Sequence, residues 1–404
     1  MPAARILIVT NGHLCRNPRV LKEAVSLGEA AYDVTVLGVS NHPPSVPVDA
    51  GLLRGAPFRL VAVNTLPGGG PAAFRARLVQ RLAREAAAVL AWKTIHALGP
   101  AAPVLARLRS FPADLTIVHN EIAHWAGTRV LGERRVAADL EDWHSEDLLP
   151  SDRRHRPLPL LRDIERTLLH DAAYVTTTSH ALAAALHSRY GGRRPEIITN
   201  SFPLPPTLLP HKTEAPPAFF WFSQTLGPGR GLERFLAAWS LTKHPSRVVL
   251  LGAGADAYRQ ALLAAVPVAQ RAAISVRPLV PPAALPAVIG EHDIGLALEE
   301  RTIVSHDLTI SNKILQYLGA GLAIVASDTA GQREVLAHDP AAGIVVPLHD
   351  TAAFATLLDG LLADRAQLAA RQAAARHLAE TVYCWERERP RLLDLVATAL
   401  ASRA

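Results

Sequence analysis

The feature that most constrains the fold is a regular alternation of short β-branched runs with segments of helical spacing. Residues 5–11 (RILIVTN) are predicted to form a strand, residues 18–30 a helix and residues 33–39 a second strand. A strand, a helix of about a dozen residues and another strand make the βαβ unit of a parallel sheet. The pattern predicts further strands in the first half of the chain at Phe58–Asn64, Asp114–His119, Val136–Leu140, Tyr174–Ser179 and Glu196–Thr199.

A proline-rich stretch without periodicity interrupts this series. Residues 204–217 (LPPTLLPHKTEAPP) are typical of a hinge. Beyond it the alternation restarts with a helix at 231–241, and strands are predicted at 218–223, 247–251, 274–277, 294–298, 323–327 and 343–346. We therefore predict an α/β fold of two doubly wound Rossmann-like domains facing across a cleft, residues 1–205 and 206–382, with a carboxyl-terminal helix at 383–404.

Composition excludes several classes of protein. With 49% hydrophobic and 19% charged residues among 404, the chain is predicted to be folded rather than disordered. Only two cysteines occur, Cys15 and Cys384, which excludes a disulfide scaffold and a four-cysteine zinc site. The sequence contains no Asp-x-Asp triplet and no metal-ligand spacing of His and Cys, so we expect neither a bound metal nor a cofactor.

The sequence also disfavours a secreted or membrane-spanning protein. The apolar run Ile6–Val9 is too short for the core of a signal peptide, and no stretch approaches the ~20 apolar residues that a membrane span needs. The net charge of +6 is mild for this length, and no interleaving of aromatic and basic residues indicates nucleic-acid binding. We predict a cytoplasmic protein that can attach to the inner face of a membrane without crossing it.

A glycine-rich turn is predicted between the first strand and the first helix of the second domain. In residues 227–233 (GPGRGLE), Gly229 and Gly231 allow a ligand to approach the backbone closely, and Arg230 adds a fork of hydrogen-bond donors. Free N–H groups at a helix start bind anions, so the segment suits a diphosphate. The alternative is a tight turn with a solvated arginine.

A second polar segment, residues 299–333, surrounds a predicted helix start. Ser311 is suited to cap a helix whose first turn presents Asn312 and Lys313, and Gln316 follows one turn later on nearly the same face. A lysine at a helix start suits a phosphate, and a polar residue one turn on suits a sugar hydroxyl. The alternative is that Lys313 is a surface residue beside a long loop.

Candidate polar residues of the first domain follow predicted strand ends. Asn11 and Gly12 end the first strand, and Arg19 lies in the first turn of the following helix. Residues 139–147 place five carboxylates, including Asp142, around His144. A carboxylate cluster at the carboxyl end of a buried strand is a candidate site rather than an ordinary solvated surface.

Several motifs follow one another along nearly the whole chain: NPRVLKEA near the amino terminus, DAAYVTTTSHALAAAL before Ile198-Thr199-Asn200, FSQTLGPGRGLE, and SNKILQYLGAGLAIVASDTAGQREV. Trp385 lies in the predicted terminal helix. Together these motifs resemble the retaining glycosyltransferases of family four, which have the GT-B fold.

This resemblance implies that the second domain holds a nucleotide-sugar donor and the first domain the acceptor. Arg230 and Lys313 would contact the diphosphate, together with Gly229, Gly231 and Asn312. It further implies transfer of a hexose-like sugar with retention of configuration, without a metal or a covalent nucleophile.

The chain departs from the family pattern at a pair of glutamates. Gln316 takes the place of the second glutamate, and Leu308 lies eight residues earlier. Gln316 would bind ribose or sugar hydroxyls without charge. A sugar-facing carboxylate must then come from Glu299, Glu300 or Asp307.

The resemblance also assigns catalytic residues. His144 and Asp142 would match the first-domain motif that contacts the transferred sugar, and Glu300 completes the implied catalytic set. Because of the missing glutamates, a catalytically silent binding or partner subunit remains an alternative, and a sugar-nucleotide epimerase is a further one. The acceptor is expected to be a saccharide, a lipid-linked precursor or a small molecule.

Residues 71–109 form the most basic part of the chain. Phe74, Leu78 and Leu82 recur at helical spacing, so the segment predicts a basic amphipathic helix. Such a helix suits an anionic membrane surface or a phosphate-bearing acceptor; alternatively its apolar stripe packs on the core. Its basic residues, set against the single acid Glu85, are Arg75, Arg77, Arg81, Arg84, Lys93, Arg107 and Arg109.

Overall fold

The structure is a computed structural model that describes residues 3–90, 94–149, 152–153, 156–205 and 215–402. Strands alternate with helices throughout this described part. The strands are β1 (Arg5–Val9), β2 (Asp33–Ser40), β3 (Arg59–Asn64), β4 (Leu115–His119), β5 (Val136–Leu140), β6 (Val175–Thr177), β7 (Glu196–Ile197), β8 (Ala218–Thr225), β9 (Arg247–Ala253), β10 (Ile274–Arg277), β11 (Ile294–Ala297), β12 (Ala323–Ser327) and β13 (Gly343–Val346).

The helices that connect and cover these strands vary from one turn to about six. The helices are α1 (Pro18–Glu29), α2 (Val46–Leu52), α3 (Gly70–Leu90), α4 (Ala101–Ser110), α5 (Asn120–Thr128), α6 (Leu158–Asp171), α7 (His180–Tyr190), α8 (Leu232–Trp239), α9 (Asp256–Ala264), α10 (Leu285–Gly290), α11 (Val304–Leu308), α12 (Asn312–Gly319), α13 (Ala330–His338), α14 (Thr351–Ala363), α15 (Arg365–Thr381) and α16 (Trp385–Ala401).

The first sheet is parallel, with strand order β3-β2-β1-β4-β5-β6-β7. Next to the central strand β4 lies β1, where Val9 pairs with Leu37 of β2 on one side and with Val118 of β4 on the other. Ile6 to Val9 are buried because helices cover both faces of such a sheet, which is why the strand is a continuous apolar run. The strand order reverses at β1, and in doubly wound sheets the carboxyl ends of the strands beside that point form the ligand-binding edge.

The second sheet repeats the arrangement with the order β10-β9-β8-β11-β12-β13, also parallel. Aromatic side chains fill its core on both faces: Phe219 and Trp221 pack on one side and Phe220 on the other. The order reverses between β8 and β11, so their carboxyl ends define the equivalent edge of the second sheet.

Contacts divide the chain into two compact units, residues 1–198 with 389–404, and residues 199–388. Most of α16 therefore belongs to the first unit, where Arg135 donates a 3.1 Å hydrogen bond to the carbonyl of Leu400. The predicted scheme instead separated residues 383–404 as a helix of their own. Most of the predicted hinge, residues 206–214, lies outside the described residues.

The predicted fold class is confirmed, since each predicted strand is present in one of two parallel sheets. The ends differ by a few residues: β1 stops at Val9 rather than Asn11, and β8 continues to Thr225. Strand ends are set by pairing with neighbours, which a sequence pattern does not display.

The predicted basic helix is also present, but it is shorter than residues 71–109. Helix α3 is described as far as Leu90, Lys93 lies outside the described residues, and Arg107 and Arg109 belong to the separate helix α4. Among the described residues, we find no helix with both the length and the apolar character to cross a bilayer.

Candidate functional site

The glycine turn lies at the carboxyl end of β8 and leads directly into α8. Gly229 and Gly231 have φ angles of +74° and +71°, a left-handed conformation that residues with a side chain rarely adopt. A Cβ atom on Gly231 would lie 2.5 Å from the carbonyl oxygen of Leu298, so the turn packs directly against the chain that leaves β11. The cap residue Gly231 offers no side chain to the first turn of α8, so the N–H groups there are candidates for hydrogen bonds to a ligand.

Arg230 stands at the exposed apex of this turn. It forms no ion pair or hydrogen bond with any other residue that the structure describes. A guanidinium beside open helix N–H groups is a suitable arrangement for an anion. The predicted contact between Arg230 and a diphosphate stays a prediction, and this geometry is compatible with it.

Lys313 lies in the first turn of α12 and is held by a carboxylate. Its Nζ is 2.5 Å from Oε1 of Glu299 and 5.9 Å from the centre of the Trp221 ring. Ser311 caps the helix as predicted, because its hydroxyl oxygen accepts a 3.3 Å hydrogen bond from the backbone N–H of Lys313. Lys313 is therefore a positioned, largely buried cation rather than a free surface residue.

Glu299 is the centre of this arrangement. Its Oε1 accepts hydrogen bonds from the Ser311 hydroxyl at 2.9 Å and from Lys313, and its Oε2 accepts one of 2.7 Å from Nε2 of Gln332. Burial alone would raise the pKa of Glu299, but Lys313 and these hydrogen bonds hold it below its usual range. Both oxygens are occupied, so the geometry fits Glu299 to positioning Lys313 better than to the predicted role of a carboxylate that faces the donor sugar or ribose.

The other second-unit candidates lie around the same strand ends. Glu300 lies 3.7 Å from Nε of Arg234 on α8, which places it beside the glycine turn. Asp307 accepts a 3.1 Å hydrogen bond from the N–H of Ala330 and pairs with Arg301 at 3.2 Å. Asn312 and Gln316 are half-buried on α12, and Gln316 is one turn beyond Lys313 as expected. Arg230, Glu299, Glu300 and Lys313 thus share one edge of the second sheet.

In the first unit, polar residues from three strand ends form a connected cluster. Asn11, after β1, donates a 2.9 Å hydrogen bond to Oε2 of Glu121, after β4. Arg156 donates hydrogen bonds of 2.9 Å to Oε1 of Glu121 and to the carbonyl of His144, after β5. The imidazole Nδ1 of His144 lies 3.6 Å from the carboxylate of Asp147. Asn11 and His144, predicted separately, are therefore linked through Glu121 and Arg156.

The charges of this cluster change the protonation of its members. Burial alone would lower the pKa of His144, but Glu121, Asp147 and Asp142 raise it to about 9. Burial would likewise raise the pKa of Glu121, yet His144 and Arg156 lower it to about 2. His144 is accordingly an imidazolium at neutral pH, and both of its ring nitrogens carry a proton.

Asp142 is half-buried beside this cluster. Burial raises its pKa, against the effect of His144. Burial and the neighbouring Asp142 raise the pKa of Glu141 to about 7. Two adjacent carboxylates with raised pKa values are typical of functional sites, although structural networks also produce them.

Arg19 lies in the first turn of α1, as predicted, but it is buried rather than open to a ligand. It is buried, its guanidinium pairs with Asp139 through two donors, and it donates a 2.6 Å hydrogen bond to the carbonyl of Ile198. His119 completes the network, 2.6 Å from Glu23 and 3.1 Å from Asp139. Breaking a buried ion pair is costly, so Arg19 ties α1 to β5 and β7 rather than binding a ligand. Gly12 remains beside the cluster, directly after Asn11.

Sequence reasoning missed Glu121, Arg156 and Gln332. The rule that finds candidates after strand ends would have found Glu121, because it lies two residues beyond the predicted strand 114–119. Arg156 and Gln332 carry no local signal, since each reaches its partner from a separate helix or loop.

Glu121, His144 and Asp147 also bring their ligand atoms within 4.8 Å of one another, close enough to surround a metal ion. Arg156 contacts both carboxylates, at 2.9 and 3.4 Å, so a guanidinium already balances their charge. The geometry favours an internal ion-pair cluster over a cation site, and the expectation of no metal stays a prediction.

The second unit has a recognisable family signature. Residues 217–364, which span β8, the glycine turn, α12 and all of α14, match the family model described as glycosyl transferases group 1. The chain carries a group 1 glycosyltransferase domain. No curated protein matches the sequence closely enough to count as a relative.

Solved structures resemble this glycosyltransferase over both of its units. HepE from Anabaena, crystallised with UDP and glucose, is 14% identical with a TM-score of 0.70, covering 98% of this chain and 100% of its own. Sucrose-phosphate synthase from Thermosynechococcus elongatus is 14% identical with a TM-score of 0.71, covering 99% and 100%. WaaG, a glycosyltransferase involved in lipopolysaccharide biosynthesis, is 14% identical with a TM-score of 0.60, covering 97% and 99%.

At these identities the likenesses show the fold alone. Together with the family match, they confirm two predictions: the chain has the two-domain GT-B fold, and it is a glycosyltransferase.

Proposed function

We propose that this glycosyltransferase transfers a hexose-like sugar from a nucleoside diphosphate donor to a saccharide-bearing acceptor with retention of configuration. The observation that carries the proposal is the edge of the second sheet, where an exposed Arg230, an oriented Lys313 and the uncapped start of α8 lie around one glycine turn. Positive charge and free N–H groups at helix starts are what a leaving diphosphate requires.

The donor base and sugar are part of the same proposal. HepE, a structural relative, was crystallised with UDP and with UDP-glucose. This supports a uridine diphosphate sugar as the first donor to test. Gln316 and Asp307 are proposed to bind the ribose or the sugar, since Glu299 is occupied by Lys313, Ser311 and Gln332.

In the first domain, we assign His144 and Asp142 to the transferred sugar. A buried imidazolium donates hydrogen bonds from its ring nitrogens, so His144 suits a sugar hydroxyl or a developing negative charge. Glu300 is proposed as the carboxylate that faces the oxocarbenium-like centre. This arrangement includes no covalent nucleophile and no metal, and activity in excess EDTA is the expected outcome.

Attachment to a membrane surface is proposed for α3. Phe74, Leu78 and Leu82 are 60%, 44% and 60% exposed, so this stripe does not pack on the core. Arginines Arg75 and Arg81 flank it, and such a face suits the boundary of an anionic bilayer. Peripheral attachment at the inner face of the cytoplasmic membrane would place the enzyme beside lipid-linked acceptors.

Vesicle co-sedimentation tests this attachment. We expect binding to vesicles with anionic phospholipid and little to neutral ones, and a loss of binding in Leu82→Ser. Val268→Ser, at another exposed apolar side chain, is the matched control. Equal partitioning to both vesicle types would contradict the proposal.

Donor recognition and stereochemistry test the transfer itself. Thermal-shift measurements with a panel of nucleotide sugars should identify one donor that stabilises the protein, because a ligand of the native state raises its stability by mass action. Slow hydrolysis of that donor should release free sugar, and its anomeric configuration, read by NMR immediately after release, should match that of the donor. Donor binding without turnover would indicate a silent binding subunit instead.

A further inference from the structure

A cavity of about 230 Å³ lies in the first unit beside the loop after β1, the carboxyl end of β2 and the neighbouring part of β3. Helix α2 covers one side of it. Most of its wall is apolar, formed by Leu14, Val39, Val46, Leu53 and Leu60 together with small residues. It lies at the ligand-binding edge of the first sheet, yet it contains none of the residues assigned above to the transferred sugar.

The two ionisable side chains in this wall, His13 and Asp49, are hydrogen-bonded to each other. His13 and Asp49 form a pair with Nδ1 and Oδ2 2.7 Å apart, and Oδ1 of Asp49 accepts a 2.8 Å hydrogen bond from the N–H of Cys15. Nε2 of His13 accepts from the N–H groups of Asn41 and His42 at 3.1 and 3.0 Å. Nδ1 therefore carries the ring proton and donates a hydrogen bond to Asp49. The pair holds the loops around the cavity and leaves neither ring nitrogen for a sugar.

The amphipathic helix α3 starts from the same strand edge. Arg77 donates a 3.0 Å hydrogen bond to the carbonyl of Thr65 and another to that of Leu66, just after β3. Thr65 in turn donates a 2.8 Å hydrogen bond from its N–H to Ser40, a residue of the cavity wall at the end of β2. The exposed apolar and arginine-rich face of α3 is thus anchored beside the cavity.

We propose that this cavity, the α2 cavity, binds the aliphatic part of the acceptor, so that the acceptor is an amphiphile in which a saccharide or phosphate head is joined to an alkyl or isoprenoid chain. The inference rests on the proposed transfer, because it names the class of acceptor. Its support is the apolar wall, the internally paired His13 and Asp49, and the adjoining helix whose charge and apolar stripe fit an anionic lipid surface. A polar saccharide would gain nothing from such a wall, whereas each buried methylene gains transfer free energy.

Chain-length dependence is the test of the α2 cavity, with butyl, hexyl and octyl glucosides as probes below their micellar concentrations. Calorimetry on the full chain should give an affinity that rises by up to about fourfold for each added methylene until the cavity is filled. An affinity that does not change with chain length, or no binding of octyl glucoside, would overturn the proposal.

Two exposed positions on α2 provide a matched pair of variants. Ala50→Phe puts a ring into the cavity and should weaken octyl glucoside binding by at least about tenfold. This is the loss of affinity expected when the ring displaces a few methylene groups of the ligand from the apolar wall. Val48→Phe adds a ring to the same helix outside the lining residues and should leave the affinity unchanged. Val46→Ser, which removes an apolar group from the wall, should weaken binding without blocking the cavity. Equal effects of Ala50→Phe and Val48→Phe would refute the assignment.

Nucleotide-sugar binding measured on the same three variants separates this inference from the proposed function. Normal donor binding with no dependence on chain length would refute only the α2 cavity as an acceptor subsite. Absence of binding by every nucleotide sugar in the unaltered protein would refute the transfer on which the inference rests.

Discussion

Replacement of Glu121 by glutamine tests the charge balance of the first-unit cluster. Glu121 binds Asn11 and Arg156, and its negative charge is one of the main causes of the raised pKa of His144. The change to glutamine keeps the shape and an acceptor oxygen but removes the negative charge. It also leaves the guanidinium of Arg156 beside the imidazolium with one carboxylate fewer to balance it.

The size of the effect follows from the pKa of His144. That pKa is about 9 against an ordinary value of 6.5, so the cluster favours the imidazolium by about 3 kcal/mol over water. Burial works in the opposite direction, so the carboxylates supply more than this net amount. Removing the charge of Glu121 should lower the pKa of His144 by at least about one pH unit, or about 1.4 kcal/mol.

NMR titration of the imidazole resonances measures this directly, with His144→Gln identifying the signal. If protonated His144 is needed for transfer, the alkaline limb of the pH–rate profile should move to lower pH in Glu121→Gln by the same amount as the pKa. Glu133→Gln is the control, because Glu133 is an exposed partner of Arg109 and should leave His144 unaffected. An unchanged pKa of His144 in Glu121→Gln would show that the argument from the cluster is wrong.

The remaining predictions concern the second unit and the dependence of stability on pH. Arg230→Ala and Lys313→Ala should each weaken donor affinity or turnover by at least about tenfold in steady-state kinetics, since a hydrogen bond to a charged group contributes ~1.5–3 kcal/mol; wild-type kinetics in both would refute the diphosphate assignment. Gly231→Ala should destabilise the protein by ~1–3 kcal/mol in urea unfolding, because a Cβ there clashes at a φ of +71°. Gly360→Ala, in a helix with open space around the Cβ, should be neutral or slightly stabilising, and similar losses in both glycine variants would contradict the packing argument. Folding raises the pKa of His144 to about 9. Its contribution to the free energy of unfolding should therefore be complete below the ordinary pKa of 6.5 and should be lost as the pH rises through about 9. A free energy of unfolding that does not decrease between these two pH values would contradict the raised pKa.

The two sites differ in how far the sequence could predict them. In the second unit, the turn at Gly229 and Gly231 and the helix start at Lys313 are local features, and the structure has them where the sequence places them. The role of Glu299 could not be predicted. The sequence makes it a candidate for contact with the sugar, but it does not reveal that Lys313, Ser311 and Gln332 all bind this carboxylate.

In the first unit, less of the site could be predicted from the sequence. Asn11 and His144 were found as separate candidates after strand ends, but their connection depends on Glu121 and Arg156, which approach from other elements. Arg19 is a cation in the first turn of α1, a position that would also suit a ligand-binding residue, and only its burial against Asp139 shows that it is structural.

The apolar pattern of helix α3 had two possible interpretations at the level of sequence. Phe74, Leu78 and Leu82 lie on one face whether that face packs on a core or points to solvent. The structure decides the question, because small residues such as Ala73 and Ala87 form the packed face and the large apolar side chains are exposed.

The sequence by itself determined the two parallel sheets, their order along the chain and the position of the glycine turn before α8. These features follow from periodicity and backbone preference, which act between residues close in sequence. Only the tertiary structure decided which charges are paired, which apolar face is exposed and that an apolar cavity lies under α2. Those properties depend on contacts between residues far apart in the chain, whose burial and electrostatic environment exist only once the sheets have assembled.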